Sequence, residues 1–352
     1  KPCAVINSPN AEKSNMTTVI RQADLTDSIA DALQYISYYH PKDFIKALAE
    51  AYEKEQNKAA KDAIAQILIN SRMCAMGHRP ICQDTGIVSV FLKVGMNVQW
   101  ETDTSLEDAV NEGVRRAYGL PENILRASVL ADPDGARKNT GDNTPAMITY
   151  KIVPGDKVEV HVVAKGGGSE AKTKFAMLNP SDSVVDWVLK MIPAMGAGWC
   201  PPGILGIGIG GTADKALAMA KESLLDPIDI QDLQARGAST RSEELRLELM
   251  EKVNNLGIGA QGLGGLTTVL DVKIKDCPTH AANKPVAIIP NCAATRLTNF
   301  TLDGSGPALQ VPPSLDEWPE ISWEVGDSVR RVDLNSVTKD DVKDWQPGET
   351  IL

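Results

Sequence analysis

The stretch Ile81-Cys-Gln-Asp-Thr-Gly-Ile-Val-Ser-Val-Phe-Leu-Lys-Val94 places a turn directly before a strand, and the fold prediction starts from it. Residues 87–94 are rich in apolar and β-branched side chains, which favours a buried strand, and Asp-Thr-Gly is typical of a turn. Upstream, residues 59–76 have helical spacing and Gly77 ends the helix. We therefore expect Cys82 in a loop between a helix and a strand, where a rigid scaffold often carries functional residues.

Helical and strand patterns alternate along the rest of the chain. Further helices are predicted at residues 23–38, from 41 onward, and at 106–118, 183–195, 213–224 and 243–256. Further strands are predicted at residues 146–152, 158–163, 205–209, 269–274 and 286–289. Together these patterns predict a mixed α/β (α+β) fold, in which helices surround two small mixed sheets and the cysteine-bearing loops converge at one edge.

Three cysteines lie in loop-like sequence and far apart along the chain: Cys82, Cys200 before Pro-Pro-Gly, and Cys292 before Ala-Ala-Thr-Arg. Their spacing is much longer than that of the CxxC clusters of zinc ribbons and ferredoxins, so only tertiary folding can bring them together. On spacing alone, three unrelated free cysteines are the commoner case. The alternative is a cubane iron-sulfur cluster on three thiolates, with one iron left open as a Lewis acid.

Six ordered motifs separate these alternatives. They are Arg79-Pro-Ile-Cys-Gln-Asp-Thr-Gly86, Asn139-Thr-Gly-Asp-Asn-Thr-Pro145, Lys165-Gly-Gly-Gly-Ser169, Cys200-Pro-Pro-Gly with Gly208-Ile-Gly-Gly-Thr212, Leu256-Gly-Ile-Gly-Ala-Gln-Gly262 and Asn291-Cys-Ala-Ala-Thr-Arg296. With these motifs, the chain resembles the iron-sulfur-dependent class I fumarases and the alpha subunits of the related tartrate dehydratases over roughly residues 17–320. The extended fifth motif and the second motif are nearer to the fumarase branch.

The resemblance implies a lyase that hydrates fumarate to malate, a reaction of the tricarboxylic acid cycle. It implies a 4Fe-4S cluster on Cys82, Cys200 and Cys292, with one iron that no cysteine ligates. It also implies a homodimer, and a C-terminal domain or beta subunit that completes the site. A tartrate dehydratase alpha subunit, or one acting on a related dicarboxylate, is the close alternative. A non-catalytic electron-transfer or zinc-scaffold protein is the alternative of another class.

Further site residues follow from the same resemblance. Arg126 matches the family's substrate arginine, and a planar guanidinium suits a carboxylate, although a surface ion pair is the ordinary alternative. Gln83 and Asp84 follow the first ligand, so Gln83 is expected to bind substrate and Asp84 to act in catalysis. Asp84 also fits a simple turn residue.

A histidine and two glycines complete the expected site. His280 matches the family's active-site histidine by position and can exchange a proton near neutral pH, but a polar-loop histidine is the alternative. Gly167 and Gly168 would offer bare backbone amides to a substrate carboxylate, or form only a tight turn. Cys277 lacks the ligand context and is not included.

Composition narrows the function classes. The chain has 352 residues, a formal net charge of −10 and 43% hydrophobic residues, so it can form a substantial core. The acidity and the absence of a basic run argue against nucleic-acid and anionic-membrane binding, and no apolar run reaches the roughly 20 residues of a membrane span. Thiolate ligands need a reducing compartment, so we expect a cytoplasmic protein, with an organelle matrix as the alternative.

The expected domain organisation has four parts. Residues 1–16 are predicted to be a flexible leader, and residues 17–310 the iron-sulfur hydro-lyase domain. Residues 311–330 are predicted to be a linker. Residues 331–352 resemble the start of a truncated C-terminal domain, so the chain alone is expected to have little activity.

Overall fold

The computed structural model describes residues 17–319, and the predictions for residues 1–16 and 331–352 lie outside this range. Within it, the helices are α1 (Gln22–Tyr38), α2 (Lys42–Lys54), α3 (Lys58–Gly77), α4 (Leu106–Tyr118), α5 (Gly167–Glu170), α6 (Val184–Met195), α7 (Ala213–Ser223), α8 (Ile230–Arg236) and α9 (Arg241–Asn254). The strands are β1 (Thr18–Arg21), β2 (Ile87–Gly95), β3 (Val98–Glu101), β4 (Leu130–Ala131), β5 (Lys138–Asn139), β6 (Met147–Val153), β7 (Val158–Lys165), β8 (Lys174–Leu178), β9 (Gly203–Gly210), β10 (Val269–Cys277), β11 (Lys284–Asn291) and β12 (Leu297–Leu302).

The first mixed sheet has the strand order β12-β7-β2-β6. The start of β2 pairs with the end of β7, through Ile87 and Lys165, and the start of β12 lies nearby, where Leu297 pairs with Val163. Apolar side chains of this sheet pack against α1 and α4 in one buried core. As a result, the loops before β2, after β7 and before β12 meet at one edge.

The second mixed sheet has the strand order β10-β9-β11-β8. Its strand β11 runs antiparallel to β9, so Asn291 at the end of β11 pairs with Ile204 at the start of β9. The loop that carries Cys200 and the loop that carries Cys292 are therefore neighbours at one edge of the sheet. The turn from β10 to β11 lies at the opposite edge.

Glycines in β9 allow the close packing that this arrangement needs. A Cβ atom on Gly208 would lie 1.9 Å from the Ala216 carbonyl oxygen, and one on Gly206 would lie 2.2 Å from that of Ala220, both in α7. A Cβ on Gly203 would lie 1.9 Å from the Asn291 carbonyl oxygen. The spaced glycines of this strand thus let helix and sheet approach each other at backbone distance.

The predicted fold class is confirmed, since helices surround small mixed sheets. The elements that were not predicted are the strands β1, β3, β4, β5, β8 and β12 and the helices α5 and α8. Part of the segment predicted as a linker packs on the helices: Leu315–Glu317 forms a 3₁₀ turn and Trp318 is 2% exposed, donating to the Ser71 hydroxyl at 3.0 Å. The linker and domain boundaries themselves stay predictions. In the part of the chain that the structure describes, no helix is long and apolar enough to cross a bilayer.

Replacing Gly208 by Ala tests the contact between helix and sheet. We expect Gly208→Ala to lower the free energy of unfolding by about 1–3 kcal/mol, because the added methyl overlaps the Ala216 carbonyl and forces α7 away from β9. Urea unfolding measures the change. The control is Met177→Ala on β8, where the side chain is half exposed and the expected change is within about 0.5 kcal/mol. Equal stability of Gly208→Ala and the parent chain would contradict this packing.

Candidate metal centre

Hydrogen bonds to α1 and to α3 hold the loop that carries Cys82. The helix ends with His78 in the left-handed conformation (φ 49°), and the chain turns back. The Ile81 amide then donates to the Ser37 carbonyl at 2.9 Å, while the Asn70 side chain donates to the Ile81 carbonyl at 3.0 Å. These contacts fix the backbone immediately before Cys82.

Cys200 lies in a tight turn after α6. Trp199, which is fully buried, anchors this turn, and Cys200 has a left-handed backbone (φ 56°), which is uncommon for a residue with a side chain. Gln261 binds the next residue: its backbone amide and its side-chain Nε2 each donate to the Pro201 carbonyl at 2.7 Å. Two donors on one carbonyl hold the backbone just after the thiol.

The loop after β11 joins Cys292 to Cys200. The Ala293 amide donates to the Cys200 carbonyl at 2.9 Å, and the Ala293 carbonyl lies 3.0 Å from Nε2 of His40. The second nitrogen of His40 lies 2.8 Å from the Ser71 hydroxyl in α3. Through Ala293, the helices of the N-terminal part are therefore linked to the second sheet beside two of the three cysteines.

The three cysteines predicted as ligands line one open cavity of about 690 Å³, together with Gln83 and Gln261. Within residues 17–319, no group of three His, Cys, Asp or Glu side chains has the spacing for a single metal ion. A cubane cluster takes each thiolate on a different iron and so needs its sulfur atoms farther apart than one ion does. Three thiols that line one cavity are the donor set that a cubane cluster with three protein ligands would need.

Burial and neighbouring charges raise the pKa of two of the three thiols. Burial raises the pKa of Cys82, and the charge of Cys292 raises it further, while Arg296 opposes this shift. Burial also raises the pKa of Cys200, with further contributions from Cys292 and Cys82. Because each thiolate disfavours the next, ionisation of all of them needs a compensating positive charge.

Backbone amides hold the carboxylate of Asp84. Its Oδ1 accepts from the Gly86 amide at 2.9 Å and its Oδ2 accepts from the Gly167 amide at 2.7 Å. The glycine-rich loop after β7 thus approaches a carboxylate, as its sequence suggested, but the carboxylate belongs to the protein. Gly168 is close to the loop that carries Cys200, since a Cβ on Gly168 would lie 3.2 Å from the carbonyl oxygen of Gly198 in that loop.

Two cations are buried next to these loops. Lys165, 4% exposed, donates to the Ser169 hydroxyl at 2.8 Å and pairs with Glu170 at 3.3 Å; burial lowers its pKa to about 8. Arg296, 2% exposed, donates from Nη1 to the Asp84 carbonyl at 2.6 Å. Two buried cations therefore lie beside the thiol loops of a chain that is acidic overall, and Glu170 pairs with one of them.

The remaining residues predicted to bind substrate lie at the rim. Gln83 is exposed and lines the cavity, and its side-chain oxygen is 3.4 Å from the Cys82 sulfur. The carbonyl of Arg126 accepts from the Thr85 hydroxyl, which fixes its backbone next to the first loop, and its side chain is exposed. Asn143, from the second motif, supports the same turn by donating to the Gly86 carbonyl at 3.0 Å.

His280 lies apart from this group within the chain. It is exposed in the turn between β10 and β11, where its Nδ1 accepts from the Ala282 amide at 3.1 Å. The eight-residue strand β11 separates this turn from Cys292, a distance of about 25 Å at the rise of an extended strand. The structure does not bring His280 to the cavity of the same chain, and its catalytic role stays a prediction.

Comparison with known sequences assigns the chain to a protein family. The model of the fumarate hydratase (Fumerase) family matches residues 26–301, and the chain belongs to this family. It is 37% identical over 281 residues to a protein of Methanocaldococcus jannaschii provisionally named L(+)-tartrate dehydratase subunit alpha, covering 77% of this chain and 95% of that protein. It is 32% identical over 278 residues to the L(+)-tartrate dehydratase subunit alpha of Escherichia coli (strain UTI89 / UPEC), covering 77% and 88%.

Sequence reasoning missed four residues that surround the thiols: His40, Lys165, Gln261 and Arg296. His40 reads as a structural histidine before a proline, and only the folded chain shows its contact with the Cys292 loop. Lys165 and Arg296 belong to the third and sixth sequence motifs. A single charged residue among small or apolar ones could have marked both as candidates for the site. Nothing local indicates that Gln261 binds Pro201.

The acid stability of the chain tests the burial of His40. Burial lowers its pKa from the usual 6.5 to about 4, so the folded state keeps the imidazole neutral while the unfolded state takes up a proton below pH 6.5. Between about pH 6.5 and 4 the free energy of unfolding should therefore fall with falling pH, with up to about 1.4 kcal/mol per pH unit due to His40. We expect His40→Gln to lack this part of the slope in urea unfolding series. Parallel pH curves for the two proteins would contradict the assignment.

Proposed function

We propose that this chain is the cluster-bearing catalytic part of an iron-sulfur hydro-lyase that reversibly hydrates fumarate to malate. Family membership supports a hydro-lyase, and the single observation that carries the proposal is the lining of one cavity by Cys82, Cys200 and Cys292. A hydro-lyase needs a Lewis acid for the oxygen, a group that moves a proton on the adjacent carbon, and a clamp for the carboxylates.

Those three cysteines would hold a 4Fe-4S cluster with one iron that no cysteine ligates. When bound, such a cluster supplies a Lewis acid. Two other cysteines stand outside the cavity lining: Cys74 is buried in α3, near the Asn70 side chain and the Pro80 carbonyl, and Cys277 ends β10 at the opposite edge of the second sheet. A three-thiolate ligand set supports catalysis over electron transfer, which commonly uses four protein ligands.

Asp84 is the proton-transfer group in this proposal. Two amide donors orient its carboxylate, and each oxygen keeps a lone pair that can accept a proton from the substrate carbon or from water. Its position two residues after Cys82 brings it next to the cavity. The same amide bonds would also fit a purely supporting role, in which Asp84 only shapes the turn.

Substrate carboxylates would be bound by Gln83, Arg126 and the glycine amides of residues 167 and 168. Gln83 lines the cavity and has amide donors, and the exposed guanidinium of Arg126 can pair with a carboxylate through two parallel hydrogen bonds. The Gly167 amide is already bonded to Asp84, so its part in substrate binding would be indirect. Holding both carboxylates sets the geometry for proton transfer.

His280 has a role in this proposal only if two copies of the chain assemble. Because β11 separates it from the cavity of its own chain, it would act only if a second copy brought it to that cavity. The family resemblance supports a homodimer. The names of the relatives, which are alpha subunits, support a beta subunit or C-terminal domain as the further partner.

Tartrate dehydration is the second candidate. The relatives named above are tartrate dehydratase subunits, which favours tartrate or a related dicarboxylate, whereas the glycine-rich motif at residues 256–262 favours fumarate. Both reactions move water across two carbons between two carboxylates, so the same thiol site and clamp serve either. Assay of both substrates decides between them.

Reconstitution tests the cofactor and the reaction together. After anaerobic treatment with iron and sulfide, we expect about four iron and four sulfide per chain, with one iron lost readily to oxidant. We expect Cys82→Ser, Cys200→Ser and Cys292→Ser each to lose most of this content, because each removes one thiolate ligand. The control Cys277→Ser, at the opposite edge of the sheet, should keep it.

The reconstituted chain is then mixed with a separately made C-terminal part and assayed for fumarate and for tartrate turnover. Stoichiometric zinc without sulfide would overturn the proposal in favour of a scaffold, and a full cluster that retains every iron under oxidant would favour an electron carrier.

A further inference from the structure

Arg296 is the most unusual charged residue in the described part of the chain. It is 2% exposed, and no Asp or Glu carboxylate within residues 17–319 lies within 4.0 Å of its guanidinium. Its Nη1 donates to the Asp84 carbonyl, but Nε and Nη2 are buried and have no hydrogen-bond partner among the described residues. A buried cation without an anion is costly, so a nearby negative charge is needed to offset it.

The surroundings of Arg296 show where that charge would lie. Its backbone lies four residues after Cys292, its Nη1 bonds the carbonyl two residues after Cys82, and a Cβ on Gly166 would come within 3.6 Å of Nη2. The loops before β2 and after β7 therefore both approach this side chain, which itself belongs to the loop before β12. Asp84 is near, but its carboxylate forms no ion pair within 4.0 Å of the guanidinium, and its oxygens accept from two backbone amides instead.

Resting on the proposed function, we propose that Arg296 is a positioning residue whose buried charge balances the negative charge of the thiolate-bound cluster and whose Nη1 fixes the Cys82–Asp84 turn. A dicarboxylate is the other anion in this site. The enclosed Nε and Nη2 favour the cluster, because a substrate carboxylate would need direct hydrogen bonds from these atoms, whereas the charge can act on a cluster without contact. The role is electrostatic, through the cluster, and not contact with the reacting atoms.

Three arginine variants separate charge from packing. Arg296→Met removes the charge at similar length, and Arg296→Lys keeps the charge but loses the planar fork. Arg72→Met is the matched control, since Arg72 is also buried, at 6% exposure, and donates to the Leu315 carbonyl at 2.5 Å away from the cavity lining. Each variant of the full chain is reconstituted with iron and sulfide, and its cluster midpoint potential and rate of iron release to a chelator are measured.

We expect Arg296→Met to shift the midpoint potential to more negative values, because reduction adds a negative charge that the lost cation had stabilised. Its iron release should be about tenfold faster, the size expected for loss of one interaction with a charged group. Arg296→Lys should keep the potential of the parent chain. Arg72→Met should keep the parent potential and release rate, even if its thermal stability falls.

Other outcomes overturn the inference. If Arg296→Met kept the midpoint potential and the iron-release rate of the parent chain, the charge of Arg296 would not act on the cluster. The same potential with weaker dicarboxylate binding would assign the guanidinium to substrate. An equal shift in the Lys variant would show a packing effect, and Arg296→Gln replaces the Met variant if the latter does not fold. If the parent chain itself takes up no sulfide, the proposed function fails instead.

Discussion

The hydrogen bond from the Ala293 amide to the Cys200 carbonyl is the contact on which the site depends, because it joins two cysteine-bearing loops that are far apart along the chain. Around it, His40 bonds the carbonyl of the same alanine and Gln261 bonds the residue after Cys200. A CxxC site forms from one local turn, whereas this site requires both sheets to be in place first. The positions of the thiols therefore depend on the whole fold, and a loss of packing between the two sheets should displace them.

The charge distribution follows from the same construction. A chain with net charge −10 would repel an anionic substrate at long range, yet the loops around the cavity contribute Lys165, Arg296 and oriented glycine amides. Both cations are almost fully buried, so salt screens them weakly. A chain that is acidic overall therefore keeps two buried cations beside its thiols.

Local pattern predicted much of the framework, because apolar periodicity reports burial directly. The helix α4 matches residues 106–118, and β2 matches the strand expected after Cys82. Pairing between strands is non-local, so the sequence did not indicate that the start of β9 meets the end of β11, which places Cys200 next to Cys292 and His280 at the far edge. The left-handed backbone of Gln261 (φ 52°) and its bonds to Pro201 depend on that pairing too.

The thiol-lined cavity is exposed to solvent in the described part of the chain. Cys200 is exposed, the cavity opens to solvent, and Leu263 on its rim is half exposed. Proton transfer and anion stabilisation are strongest where bulk water is excluded. Residues 17–319 do not exclude water from this cavity. A second domain or subunit that covered this rim would exclude water from the cavity and add its own binding groups. Closing the cavity and completing the set of carboxylate-binding groups would then be one step.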